Sequence, residues 1–481
     1  MAEKITNIEN TFKLTFFKNV LISGGYNYLA QGITFFSSII IARLLSPENY
    51  GLVGLITVFT GFISVFSDSG ISLAIIKSDY GYTYHKSLDT LALMIGIILF
   101  CLMAILAYPI AVFYKNSSLI LPTLALSTTF IFRSMSIVRG ALLSKSLQFG
   151  YLGKVILISS VISILLTIVL AYYGAQHWAI IIPQIVSSLV NVVMYEYQVR
   201  LRYQIYSFKY VKVAYKQTKK IIGSLIGFNL VNYWARNSDN LLVGKLYGIN
   251  DLGIYNRAYS LLMFPLSLIT GLMSSVLYPS LKKLMIDGGD VNAEYLFILK
   301  IISFLVLPIS VLLLLFPETL VSVLWGAKWL KVAALLPYFG LLIFSQPLLS
   351  SVGNLLVLKG EERALMYSGW VGAIITISSI FFGAMYSIIA IAQCYSLGFI
   401  VLVLPFNIWF IYYKTLKFPP IVLLKFWSPI IILSIFIWVG CFVESKVILY
   451  SSIIVLFVVL LTSSFKEVIA IVKMVKATFK H

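Results

Sequence analysis

Four charged side chains stand in stretches that are otherwise apolar. Arg133 and Asp68 each sit in one such run, and Arg236 and Asp239 share a third. A charge at the centre of a membrane-spanning helix costs about 2.5–3.5 kcal/mol on insertion scales, so it faces a cavity or a partner. Two guanidiniums suit a phosphate-rich anion, because each presents a planar fork to a pair of oxygens. The carboxylates Asp68 and Asp239 are candidates for carrying a proton or holding sodium. Structural readings compete with these. Arg236 and Asp239, at i and i+3, would neutralise each other; Asp68 would cap a helix beside Gly70; Arg133 would pair with Asp68. No catalytic constellation accompanies them. His85, His177 and His481 are scattered and build no metal site, and Cys101, Cys394 and Cys441 fall in apolar runs as packing residues without a disulfide framework.

Neutral polar residues add direction. Asn229, Asn232, Arg236, Asp239 and Asn240 are spaced to fall on one helical face. Asn27, Gln31, Thr34 and Ser38 form a similar stripe near the start of the chain. Arg236, Arg133, Asn229, Asn232, Asn240, Asn27 and Gln31 are therefore the candidate substrate-binding residues.

The elements that carry them are read from hydropathy. Of 481 residues 60% are hydrophobic and 11% charged, with a mean hydropathy of +0.97. A soluble chain needs more polar surface than this. Apolar runs near 19–42, 52–75, 88–112, 118–138, 155–173, 178–198, 221–244, 255–278, 297–317, 333–357, 365–385, 387–412, 420–442 and 447–465 are each long enough to cross a bilayer core of about 30 Å. The pattern predicts an all-α integral membrane protein with about fourteen transmembrane helices. The first run is too long for a signal peptide core, and no cleavable signal is expected. Of the 36 Lys and Arg residues, 27 fall in one set of gaps and seven in the other, with Arg133 and Arg236 inside runs. That bias predicts cytoplasmic termini. It also accounts for the net charge of +19 without nucleic acid.

At an offset of 202 the chain matches itself without a gap. Gly25-Tyr26-Asn27 lies over Gly227-Phe228-Asn229, residues 39–44 over 241–246, and Gly51-Leu52 over Gly253-Ile254. The offset carries Asn27, Thr34 and Ser38 onto Asn229, Arg236 and Asn240. Six spans separate the copies, which predicts a parallel repeat of the kind that builds rocking transporters. The expected organisation is an N-lobe over 1–198, a basic cytoplasmic linker over 199–220, a C-lobe over 221–412, two further spans over 413–465, and an amphipathic basic tail over 466–481 on the inner leaflet. Ser46 and Pro47 read as N-cap and first residue of span 2, and Asp251 as the cap of span 8. Trp325 and Trp329, beside Lys328, read as interfacial anchors.

Particular motifs resemble a known family. They are IARLLSPENYG at 41–51, FSDSG at 66–70, Ala141-Leu142-Leu143 leading to Phe149, RNSDNLLVG at 236–244, GIYNRAY at 253–259 and LYPSL at 277–281. In order and spacing they resemble the Wzx-type O-antigen and exopolysaccharide flippases, most of all the colanic-acid-exporter branch. That family belongs to the MOP superfamily with the MATE exporters and the lipid II flippase. The resemblance spans roughly residues 15–440. It implies translocation of an undecaprenyl-pyrophosphate-linked oligosaccharide to the outer leaflet by alternating access, in polysaccharide biosynthesis. It implies no cofactor beyond a proton or sodium gradient. Expected partners are the lipid-linked oligosaccharide, membrane lipids, and a polysaccharide polymerase with its chain-length machinery. Two other readings compete. A MATE-like multidrug exporter shares the architecture, but the arginines favour an anion over cationic drugs. A membrane-embedded polymerase or ligase needs an outer catalytic loop, and the outer gaps offer no acid, base and nucleophile. No Gly-rich phosphate loop supports ATP hydrolysis.

Overall fold

The structure, a computed structural model, describes residues 24–68, 70–77, 81–201 and 206–459. Every regular element among them is helical. In chain order these are α1 (24–44), α2 (Pro47–Asp68), α3 (Ile71–Lys77), α4 (Tyr82–Phe113), α5 (Ile120–Lys145), α6 (Phe149–Tyr172), α7 (Trp178–Val199), α8 (Phe208–Leu246) and α9 (Gly248–Ile286). There follow α10 (Val291–Leu315), α11 (Pro317–Leu324), α12 (Leu336–Ser350), α13 (Val352–Leu358), α14 (Glu362–Gly383), α15 (Ile388–Gly398), α16 (Leu404–Asn407), α17 (Pro420–Phe442) and α18 (Lys446–Val459). Ten stretches among the described residues are long and apolar enough to cross a membrane, several of them built from two of these helices. The helices α1, α8, α9 and α18 occupy the places expected for spans 1, 7, 8 and 14. The tail over 466–481 lies outside the described residues.

Local chemistry sets the ends. Pro47 opens α2, where its missing N–H costs nothing. Ser46 supplies the carbonyl that Asn49 and Tyr50 N–H donate to, and its Oγ accepts from Asn49 Nδ2 at 3.0 Å. Asp290 caps α10 by accepting from the amides of Asn292 and Ala293 at 2.9 and 3.1 Å. Gly70, at φ +77°, breaks the expected second span into α2 and α3. Glycine takes that left-handed conformation at little cost. Asp251 is a correction to the sequence reading: it lies inside the first turn of α9, which begins at Gly248, and is not its cap.

Contacts divide the chain into two compact units, Met1–Gly253 and Ile254–His481. The expected seam lay at 199–220. Within unit 1, α4 packs on α5, α5 on α7, and α6 on α7. Within unit 2, α10 packs on α12, α12 on α15, and α14 on α15. By span number these are the same pairings, six spans apart. The unit 1 crossing of α4 and α5 needs Gly96, where a Cβ would overlap Ser134 and approach Phe130 O at 2.9 Å.

Candidate functional site

Unit 1 holds an open cavity of about 430 Å³ with many polar groups in its wall, lined by α3, α5, α6 and α7. Arg133, Ser136, Gly140 and Ser144 line it from α5 at i, i+3, i+7 and i+11. Gln184, Ser188, Asn191 and Tyr195 line it from α7 at the same rhythm, i, i+4, i+7 and i+11. One face of each helix therefore looks into the cavity. From Arg133 to Ser144 the wall runs about 16 Å at the helical rise.

Several lining groups keep acceptor capacity. Ser136, Ser144 and Ser188 donate to carbonyls one turn back in their own helices, at 3.1, 3.0 and 3.0 Å. That leaves their oxygen lone pairs for another partner. Gln184 Nε2 donates to Ile180 O at 3.2 Å. Asn191 Oδ1 is shut from solvent and accepts no hydrogen bond among the described residues. Arg133 is exposed and makes no ion pair with any described side chain. The Asp68 side chain lies outside the described residues, so the pairing of Arg133 with Asp68 does too. No described carboxylate lines the cavity.

The second arginine is elsewhere. Arg236 is exposed on α8, and none of the described cavity residues comes from that helix. No ion pair joins Arg236 to Asp239 among the described residues. Asp239 is instead buried and accepts from the Asn240 amide at 2.8 Å. Asn240 is half-buried, as are Asn27 and Gln31 on α1. The side chains of Asn229 and Asn232 lie outside the described residues. Thr34 and Ser38 donate to carbonyls of α1 itself, at 2.7 and 2.6 Å.

Arg139 and Arg257, both buried, escaped the sequence reading. Arg139 is fully buried; its Nη1 donates to Asp89 Oδ1 and Met135 O at 2.7 and 2.8 Å, its Nη2 to Leu201 O at 2.7 Å, and its Nε to Glu196 Oε2. One guanidinium thus ties together α4, α5, α7 and the chain that leaves α7. Unit 2 holds a lighter version of the same brace. Lys359 Nζ donates to Asn292 Oδ1 at 2.7 Å, and Asn292 Nδ2 to Leu416 O at 3.2 Å. Burial pulls the Lys359 ammonium below the ordinary lysine range, and Asp290 opposes that pull.

Arg257 is the other. It is 7% exposed, with its guanidinium 4.5 Å from the Trp325 ring centre and 5.8 Å from that of Trp329. Trp325 and Trp329 are buried at 3% and 0% exposure. They are therefore not interfacial anchors; an arginine one helix away in space takes their faces, a strong cation–π arrangement once desolvated.

The fold defines a class: a multi-pass, all-helical membrane protein. The structure is similar to that of the lipid II flippase MurJ in an inward closed conformation, with a TM-score of 0.69, 17% identity, and coverage of 94% of this chain and 100% of that one. It is also similar to an inward-facing multidrug resistance MATE family transporter of the MOP superfamily, with a TM-score of 0.59, 15% identity, and coverage of 80% and 93%. Residues 40–334 match the model of a family described as polysaccharide biosynthesis protein, and the chain belongs to that family. Its relatives include the teichuronic acid biosynthesis protein TuaB of Bacillus subtilis, 24% identical over 64% of this chain and 64% of its own length. They also include the succinoglycan biosynthesis transport protein ExoT of Rhizobium meliloti, 22% identical over 76% and 75%. The lipopolysaccharide biosynthesis protein WzxC of Escherichia coli is 23% identical over 66% and 63%. The match thus spans just under two thirds of the length of TuaB and of WzxC.

Proposed function

We propose that this chain is a flippase that carries a lipid-linked, anionic oligosaccharide from the cytoplasmic to the outer leaflet of a bacterial plasma membrane. The observation that carries the reading is Arg133, set in a hydroxyl- and amide-lined cavity within membrane-spanning helices. A guanidinium binds an anionic oxygen pair, and serine oxygens whose O–H already donates to a backbone carbonyl accept from sugar hydroxyls. The names of TuaB, ExoT and WzxC place those relatives in polysaccharide biosynthesis, which supports a glycan as cargo.

The substrate is an undecaprenyl-pyrophosphate-linked oligosaccharide, whose lipid tail stays in the bilayer while the head group passes. Arg236, with Asn229, Asn232 and Asn240 on its helix and Asn27 and Gln31 on α1, forms a second contact point for the head group. Asp68 or Asp239 couples movement to a proton or sodium gradient. Both termini and the 199–220 segment face the cytoplasm, as the 27-to-seven charge bias requires. No catalytic step is assigned, and no nucleic acid; a polymerase and its chain-length machinery act on the glycan after it crosses.

A multidrug exporter is the competing reading, supported by the MATE likeness of the fold. The cavity argues against it, since a cationic drug would meet Arg133 and no described carboxylate. Deleting the gene tests the choice. Loss of surface polysaccharide, with lipid-linked oligosaccharide accumulating on the cytoplasmic leaflet, supports the flippase. Unchanged polysaccharide with raised sensitivity to cationic drugs refutes it.

A further inference from the structure

Two lysines stand in the walls of an otherwise apolar cleft in unit 2. The cleft, of about 440 Å³, lies between α10 and α17. Ala293, Phe297 and Lys300 line it from α10 at i, i+4 and i+7. Val422, Lys425 and Phe426 line it from α17 at i, i+3 and i+4. Each helix turns one face into the gap, and each face carries one phenylalanine and one lysine. α10 packs on α12 and α12 on α17, so a shared neighbour holds the two walls. Phe426 meets Trp427 edge to face, with ring centres 5.0 Å apart, which fixes its orientation.

The charge bias assigns the starts of both helices to the cytoplasmic side. At the helical rise, Lys300 lies about 14 Å from the first residue of α10, and Lys425 about 8 Å from that of α17. Both lysines therefore stand inside stretches long and apolar enough to cross the membrane, toward their cytoplasmic ends. A lysine so placed lays its stem along apolar surface and lifts its ammonium to the headgroup layer. Two of them in one cleft gather positive charge at one spot. No described carboxylate lines the cleft. Asp290 and Glu294, the nearest acids along α10, lie outside its lining, and α17 contains no acid. Asp290 is in any case committed to capping α10.

We propose that this cleft binds an anionic phospholipid of the inner leaflet. Its phosphate sits between Lys300 and Lys425, and the upper part of one acyl chain lies between Phe297 and Phe426. The anion offsets the repulsion of two ammoniums held close together, and the rings cover the chain. The cleft falls within the range of about 300–1,000 Å³ that suits small organic ligands. Basic pockets between spans on the cytoplasmic side recur as sites for phospholipid headgroups. The bound lipid joins α10 to α17, and so ties a span outside the internal repeat to one within it. The proposal rests on the cytoplasmic orientation of the helix starts and holds whatever cargo the chain moves.

The test uses the full-length protein purified in detergent, freed of lipid, and titrated with phosphatidylglycerol or phosphatidylcholine. Native mass spectrometry reads binding, and the melting midpoint reads its effect on the fold. The parent is expected to prefer phosphatidylglycerol and to melt higher with it. Each lysine removed should weaken that binding about fivefold, so Lys300→Gln with Lys425→Gln should weaken it about thirtyfold. Lys300→Arg with Lys425→Arg should retain it. Lys417→Asn, which removes an exposed charge outside the cleft, should bind as the parent does. If Lys300→Gln lowers the yield of folded protein, the exposed Lys425→Gln still decides the matter alone. Equal binding by the glutamine variants and the parent, or no preference over phosphatidylcholine, would overturn the proposal. Excess inorganic phosphate is expected to leave the lipid bound; displacement by it would overturn the lipid as occupant. Undecaprenyl pyrophosphate binding more tightly than phosphatidylglycerol, and losing that binding in the double glutamine variant, would assign the cleft to a polyprenyl lipid and overturn the proposal as well.

Discussion

Arg139 and Asp89 meet at 2.7 Å with their side chains at 0% and 6% exposure. Glu196 takes the Nε of the same arginine, so two carboxylates depend on one cation. Removing one partner of a buried ion pair leaves an uncompensated charge and costs about 3–5 kcal/mol. Arg139→Ala is expected to lower the thermal stability of the detergent-purified protein and its abundance in the membrane. Replacing Arg139 by Met together with Asp89→Leu and Glu196→Gln is expected to recover much of that loss, since matched removal strands no charge. Equal stability of Arg139→Ala and the parent would show that the brace is dispensable.

In unit 2, Arg257 packs under Trp325 and Trp329. A desolvated cation–π contact contributes about 2 kcal/mol. Arg257→Ala and Trp325→Ala should each lower the melting midpoint, and the double variant should lose less than the sum of the two. A double-mutant cycle measures that coupling directly. Strict additivity would mean the stacking carries no energy.

The two candidate substrate arginines sit in different settings, which separates their predicted phenotypes. Arg133→Ala is expected to stop polysaccharide export at normal protein abundance, and Arg133→Lys to restore only part, because an ammonium lacks the planar fork. Arg236 has no ion pair to Asp239 to break, so Arg236→Ala should also leave abundance normal while cutting export. Immunoblots of membrane fractions alongside surface-glycan staining check both. Lost protein in either case would point to a structural role instead.

Lys212 reports on topology. It is exposed near the start of α8, in the segment richest in lysine. A thiol placed there, Lys212→Cys, should resist a membrane-impermeant maleimide in intact cells and react once cells are opened. Labelling in intact cells would invert the assigned orientation.

Much of this was legible in the sequence because lipid punishes exposed polarity. Apolar run lengths placed the helices, and the 202-residue offset marks the repeat in the sequence itself. Helix ends were less legible, since hydropathy falls off before the helix does. The apolar run 118–138 stops short of the helix, for α5 runs to Lys145, and Arg139, the buried brace, lies just beyond the run. The cavity was half legible. Arg133 stood out by charge, but Gln184, Ser188, Asn191 and Tyr195 form a neutral stripe that hydropathy averages away. Trp325 and Trp329 misled for another reason: sequence shows where an indole lies along the chain, but not that Arg257 comes to cover it.

The most direct measurement of the central claim uses purified protein in liposomes that hold an undecaprenyl-pyrophosphate-linked oligosaccharide in both leaflets, with a membrane-impermeant glycosidase or lectin outside. With the native chain, the inner-leaflet pool is expected to become accessible over time, and with Arg133→Ala it is expected to stay protected. Equal protection in liposomes with and without the native chain, under either a proton or a sodium gradient, would contradict the account.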